Sequence, residues 1–259
     1  MMKILILTRK RMLTVLCCLL CGVLTVFLAF QGIAALTASS NQRMIPIYCV
    51  KTDEKKIALS FDAAWGNDLT QTLIDILQRY KVKTTFFVVG AWAEKYPESV
   101  KALTAAGHEV CNHSDTHPHM PKLSRDEMAA QIGNCNDKIK KASGVSPILF
   151  RPPYGDYDNA LMETVKAKNM YCIQWDVDSL DWKNPAPSAI VRRITSQAKP
   201  GSIVLFHNGA KNTPTALPAV IEALQEQGYQ IVPVSQLIYK NHYTIDNSGM
   251  QIPDGNAAR

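Results

Sequence analysis

The chain carries two kinds of apolar patterning. Residues 12–36 form an almost unbroken apolar run, preceded by Lys3, Arg9, Lys10 and Arg11. At about 1.5 Å per residue such a run crosses a hydrocarbon layer of about 30 Å. It predicts a membrane anchor, or a long signal sequence that Ala34, Ala35 and Ala38 would allow to be cleaved. The flanking cations concentrate on the N-terminal side, with Arg43 close behind the run, so residues 1–11 are expected in the cytoplasm and the remainder outside. From residue 56 onward the pattern changes to short apolar runs alternating with amphipathic segments. Strands are predicted over 57–61, 84–89, 109–112, 148–151, 171–176, 203–206 and 230–233, and helices over 69–80, 97–106, 125–142, 159–168, 188–198 and 214–227.

Strict βα alternation predicts a parallel sheet flanked by helices. Seven such units fit an incomplete barrel; an open doubly wound sheet is the alternative, because alternation does not give strand order. Helix ends support the register. Ser124 with Glu127 forms a capping box, Gly107 and Gly144 follow their helices, and Pro200-Gly201 breaks the chain before the sixth strand. The organisation expected is a basic N-terminus (1–11), the apolar run (12–36), a polar linker (37–54), one α/β domain (55–240) and a loose polar tail (241–259).

Composition narrows this only slightly. With 259 residues, 47% hydrophobic and 19% charged, the chain can bury a core and is not a disordered sequence. Much of the net charge of +6 lies ahead of the domain, so it gives no ground for a nucleic-acid partner, and no protein partner is expected either. Cys17, Cys18 and Cys21 fall in the apolar run, while Cys49, Cys111, Cys135 and Cys172 are scattered without a CxxC pair. They read as small buried apolar residues rather than zinc ligands or a disulfide framework.

The chemistry-bearing residues recur at the C-terminal ends of the predicted strands, where parallel α/β folds build their sites. Asp62 closes the first strand, His113 and His117 follow the third, and Arg151 opens "RPPYGD" after the fourth. Asp178 and Asp181 follow the fifth, and His207 closes the sixth. The "HSDTH" spacing lets one helical turn present two imidazoles to a cation, whereas His119, two residues further on, is not taken as a ligand. Each residue also has a bland role, as cap, turn former or surface ion-pair partner; Trp182, Tyr154 and Leu205 would by default be core.

Taken together, "SFDAAWG", "HSDTH", "RPPYG", "DSLDW" and "LFH" resemble, in order, five motifs of the polysaccharide deacetylase family of carbohydrate esterases, the NodB-homology proteins. The resemblance spans residues 55–237, and "FDAAWG" with "HPHM" is most similar to the sporulation-associated cell-wall branch. It implies an α/β fold, a distorted, incomplete (β/α)7 barrel. It also implies hydrolysis of an N-acetyl amide on a cell-wall glycan, peptidoglycan-type or chitooligosaccharide-like, with release of acetate. By the same resemblance His113 and His117 hold a divalent metal, zinc or cobalt, and Asp62 is the general base oriented by Arg151. The Tyr154 backbone N–H completes an oxyanion site, His207 tuned by Asp181 is the general acid, and Trp182 and Leu205 line an acetyl pocket.

One position departs from the pattern. Ala63 stands where the family's first motif has a second Asp that ligates the metal, so the metal is expected to be weakly held. Three readings follow: an active glycan deacetylase, anchored to the membrane and facing outward; a catalytically silent glycan-binding protein with the same cleft; and an amidohydrolase of a small amide. Asp62, Arg151, Asp181 and His207 together favour the first, Ala63 the second, and export with an anchor weighs against the third.

Overall fold

The computed structural model describes residues 9–10, 12, 14, 16, 18–27 and 43–255, and the chain divides into two units, Met1–Arg43 and Met44–Arg259. In the first unit residues 18–27 are helical, with Leu19, Leu20, Val23, Leu24, Val26 and Phe27 all exposed. Among the described residues no helix is long and apolar enough to cross a membrane; much of the run predicted to do so, including 28–36, lies outside the described residues.

The second unit is built on parallel strands β2 (Lys56–Ala63), β3 (Thr85–Val88), β4 (Glu109–Asn112), β5 (Leu149–Phe150), β6 (Tyr171–Cys172), β7 (Val177–Asp178) and β8 (Ile203–His207). They run in the order β6-β5-β4-β3-β2-β8-β7, with β9 (Gln230–Ile231) added on β2. β2 is central and buried from Ile57 to Ala63, which is why its sequence is a near-continuous apolar run rather than an alternation. Phe61 stacks on Phe86 and Phe206 of its two neighbours, with centroids 4.8 and 5.2 Å apart, and locks the centre of the sheet.

The strand expected over 171–176 is split. Tyr171 and Cys172 pair with β5, the chain then bends, and Val177 and Asp178 pair with β8 at the other end of the sheet. One kinked segment therefore serves both edges, and the sheet curls into a barrel whose last gap is crossed by chain rather than by a ladder.

Helices Thr70–Arg79, Pro97–Ala105, Arg125–Ser143, Asn159–Ala167, Pro187–Gln197 and Thr213–Glu226 fall within one residue of the predicted bounds. Ser124 and Glu127 make the reciprocal capping box, and Gly144 closes that helix at φ 78°. The short helices Gly90–Lys95 and Val234–Leu237 lack the length for a periodic signal. Cys49, Cys111, Cys135 and Cys172 are free and buried.

Both ends of the domain depart from expectation. Part of the supposed linker is packed: Ile47, Cys49 and Val50 are buried, and Ile47 bridges to Ile173 beside β6. The supposed loose tail carries β10 (Tyr243–Ile245) and β11 (Met250–Pro253), which form a small sheet with β1 (Cys49–Val50). Gln251, fully buried, is bonded through its side chain to the N–H and C=O of Tyr239. A polar residue satisfied by backbone gives no hydrophobic signal in the sequence, and the tail was unreadable for that reason.

The N-terminal segment is held against β8 at one close approach. Gly201 has φ 83°, accepts a bond from the Val50 N–H at 2.9 Å, and would place a Cβ 1.8 Å from the Val50 carbonyl oxygen. Gly144 has a similar φ of 78° but open space around it. Gly144→Ala is expected to cost about 1–2 kcal/mol of backbone strain. Gly201→Ala must cost clearly more, because Val50 has to move. Urea denaturation of the two variants checks this, and equal midpoints would show that the segment is not clamped.

Candidate functional site

Asp62 sits at the C-terminal end of β2, in register with Phe87 of β3 and His207 of β8. Its carboxylate is nearly buried and meets a fully buried guanidinium: Arg151 Nη1 donates to Asp62 Oδ1 at 2.8 Å. Arg151 Nη2 donates to Ser60 Oγ at 2.8 Å and to the Gln174 carbonyl at 3.2 Å, and the guanidinium lies 4.1 Å from the Phe87 ring centroid. Burial pushes the Asp62 pKa up, but its interactions with His113, Arg151 and His207 and the Arg151 hydrogen bond outweigh it and hold the group below the usual carboxylate range. Asp62 is therefore an anion at neutral pH.

The "HSDTH" stretch is a loop, not the helical turn its spacing suggested. Ser114 and His117 have φ of 66° and 61°. Asn112 Oδ1 accepts from the Ser114 N–H at 2.8 Å, and Ser114 Oγ accepts from the His117 N–H at 3.0 Å, so two polar side chains hold a compact turn. The turn still brings the imidazoles together, with ring centroids 4.9 Å apart. His113 Nδ1 is 2.8 Å from the Arg151 carbonyl, leaving Nε2 3.5 Å from Asp62 Oδ2. Burial lowers the pKa of His113, and burial with the neighbouring His113 lowers that of His117 to about 4. Both rings are neutral at neutral pH.

His207 is paired at its other side. Its Nδ1 lies 2.7 Å from Asp181 Oδ1, its backbone N–H donates to Asp181 Oδ2 at 2.8 Å, and Thr213 Oγ1 donates to the same oxygen at 2.6 Å. Burial alone would lower the His207 pKa; the Asp181 hydrogen bond, with the charges of Asp62 and Asp181, raises it above the usual imidazole range. Asp178 caps the intervening turn by accepting from the Leu180 N–H.

Asp62, His207, Trp182, Asn184 and Trp65 line one cleft of about 220 Å³. Tyr154, at φ 59° in the turn after Pro153, lies outside that lining and is exposed; its ring meets His117 edge-on at 4.5 Å and stacks on His119 at 4.1 Å. His119 Nδ1 is hydrogen-bonded to Asp156 Oδ2 on the other side of the Tyr154 contact. Leu205 is 2% exposed inside β8 and is not part of the cleft wall. The residues overlooked in the sequence are those that support the cluster: Ser60, Gln174 and Thr213, single polar residues with no motif around them. Trp65 also lines the cleft, and its signal in the sequence is the tryptophan three residues after Asp62 in "FDAAWG".

The sequence model of the polysaccharide deacetylase family matches residues 50–173. The chain is 40% identical over 188 residues to the peptidoglycan-N-acetylmuramic acid deacetylase PdaC of Bacillus subtilis (strain 168), an alignment covering 73% of this chain and 40% of PdaC. The chain thus spans less than half of that relative's length. A peptidoglycan-N-acetylglucosamine deacetylase of Bacillus cereus is 33% identical over 198 residues, covering 74% of this chain and 92% of that protein. The crystal structure of BA3943, a CE4 family pseudoenzyme from Bacillus anthracis, superposes with a TM-score of 0.73 at 33% identity, covering 81% of this chain and 73% of that one. Sequence and fold agree: the chain belongs to the polysaccharide deacetylase family, and its curled sheet is the family's incomplete (β/α)7 barrel.

Proposed function

We propose that the domain hydrolyses N-acetyl groups on a cell-wall glycan, peptidoglycan-type or chitooligosaccharide-like, releasing acetate and leaving a free amine. One observation carries this reading: Asp62 and His207 line a single cleft, the first paired with the Arg151 guanidinium and the second with the Asp181 carboxylate, partners that favour the ionised carboxylate and the protonated imidazole. An ionised carboxylate can take a proton from the attacking water, and a protonated imidazole can give one to the departing nitrogen. Arg151 orients the first and Asp181 the second.

Polysaccharide deacetylases are metal-dependent, and the residues here fit such an ion only in part. His113 and His117 are neutral, closely spaced imidazoles, and His117 Nδ1 is buried without a hydrogen-bond partner. The third donor is missing: Ala63 offers a buried methyl group, and among the described residues no three His, Cys, Asp or Glu side chains group in a way that would hold a metal. The donor set does not fit a tightly held ion. We infer weak binding of zinc or cobalt through His113 and His117, and we assign the proton transfers to Asp62 and His207 alone.

The same methyl group favours a second reading, a glycan-binding protein without turnover, and the likeness to a pseudoenzyme supports it. We further infer that residues 12–36 anchor the domain on the outer side of the membrane. The exposed apolar side chains of residues 18–27 and the cell-wall relatives support that placement.

Acetate release from purified cell wall and from N-acetylglucosamine oligomers, with and without chelator, separates the two readings: release supports the hydrolase, whereas binding without release supports the silent binder. In the hydrolase, Asp62→Asn and His207→Ala are each expected to cut turnover by about 10²–10⁴ with the fold intact by circular dichroism. Unchanged turnover in either would remove that residue from the reaction.

The rate profile should fall as pH drops below the depressed pKa of Asp62, and fall again as pH rises above the elevated pKa of His207. Asp181→Asn removes the anion that stabilises the imidazolium, so the alkaline limb should move to lower pH while the acid limb stays in place. An unmoved alkaline limb would show that another group sets it.

By the family's first motif, Ala63→Asp supplies the metal-ligating carboxylate that this chain lacks. Calorimetric titration should show tighter zinc or cobalt binding than in the wild type, and His113→Ala in the same background should abolish the gain. Tight stoichiometric binding by the wild type, with no gain from the substitution, would mean that another residue already supplies the ligand.

A further inference from the structure

Two tryptophans stand exposed at the mouth of the cleft. Trp65 follows β2 and Trp182 lies in the turn Asp181–Lys183 after β7, while β8, which ends in His207, runs between those two strands. The pair therefore flanks His207 on the two neighbouring loops. Their side chains are 68% and 55% exposed, a large apolar area left in water.

The two rings are not equivalent. The Lys183 ammonium sits 4.9 Å from the Trp182 ring centroid and occupies one of its faces. Trp65 makes a T-shaped contact with the His117 ring at 5.1 Å and carries no cation on its face among the described contacts. Its backbone, by contrast, is pinned. Gly209 lies so close that a Cβ there would come within 2.9 Å of the Trp65 carbonyl oxygen, and the next carbonyl, that of Gly66, accepts from Trp92 Nε1 at 2.6 Å. A held backbone presenting an indole that is largely exposed is a partly preorganised contact surface, since the backbone loses little entropy when something covers the ring.

The size of the cleft indicates what covers the ring. Its volume of about 220 Å³ is below the range of roughly 300–1,000 Å³ usual for sites that enclose a whole ligand. It accepts the reacting end of a substrate, and the rest must cross the rim. Sugar rings present faces of C–H groups whose partial positive charge complements the negative face of an indole.

We propose that Trp65 is a stacking platform for a second sugar ring, adjacent to the one being deacetylated, so that the site selects a glycan chain over a single amino sugar or a small amide. This rests on the proposed glycan substrate but not on turnover. The test is equilibrium binding of N-acetylglucosamine and its tetramer by the full chain carrying His207→Ala, which suppresses hydrolysis during titration. Adding Trp65→Ala should weaken tetramer binding about 5–10-fold and leave the monomer within about twofold, while Trp65→Phe, which keeps a flat ring, should retain most of the tetramer affinity. Equal losses for monomer and tetramer, no loss for either, or a parent protein that binds no tetramer would each overturn the proposal. Length-dependent binding in a wild type that releases no acetate would sink the hydrolase reading and leave the platform standing.

Discussion

The buried pair between Arg151 and Asp62 is the interaction on which the site is assembled. A guanidinium with no exposure is costly unless every contact around it is good, because both ions have left water. Arg151 offsets that cost in part by bonding Asp62 and Ser60 of β2 and the carbonyl of Gln174, in the kinked segment between β6 and β7, while its Nε is buried without a partner. It rests against Phe87 of β3, and its own carbonyl accepts from His113. One residue thus links β2, β3, the end of β4, β5 and the segment that crosses the barrel's last gap. Truncating Arg151 would leave the Asp62 carboxylate buried and unpaired, a loss of about 3–5 kcal/mol in comparable cases.

The second charged pair is built differently and with the opposite effect. Asp181 is fully buried, but His207 keeps about a quarter of its side chain in contact with solvent. The first arrangement fixes a negative charge at the cleft floor; the second fixes a positive one at its edge. Two groups that would otherwise titrate within a few pH units of one another are pushed further apart, Asp62 downward and His207 upward. Ala63 leaves this pairing untouched, since its side chain is buried with the apolar core and not in the charge network. Loss of a metal-ligating carboxylate and survival of the proton-transfer groups are therefore physically separable, which is why both a hydrolase and a silent binder remain consistent with one cleft.

The ends of the domain show a related economy. The strands β1, β10 and β11 gather the supposed linker and tail into one small sheet, and Gln251 buries its amide by matching it to the backbone of Tyr239. Ile47 and Val50 join the apolar cluster beneath the barrel with Phe87, Cys111 and Ile173. Residues outside the βα alternation thus help bury the lower side of the sheet that carries the site.

Much of the architecture was determined by the sequence itself. Parallel strands buried on both faces must be continuously apolar, helices on their flanks must repeat every three to four residues, and Ser124, Glu127 and Gly144 mark their helix locally; these are short-range demands, readable along the chain. The positions of Asp62, Arg151, Asp181 and His207 at strand ends were legible for the same reason. Strand order, the kink that ends one strand at Cys172 and begins another at Val177 on the opposite edge, the loop geometry of 113–117 and the burial of Gln251 were decided by the tertiary structure. Each depends on contacts between residues far apart in the chain: Arg151 with Ser60, Ile47 with Ile173, Gln251 with Tyr239. A periodicity argument sees only neighbours, and the energy that selects these arrangements, satisfaction of buried polar groups, exists only once distant segments have met.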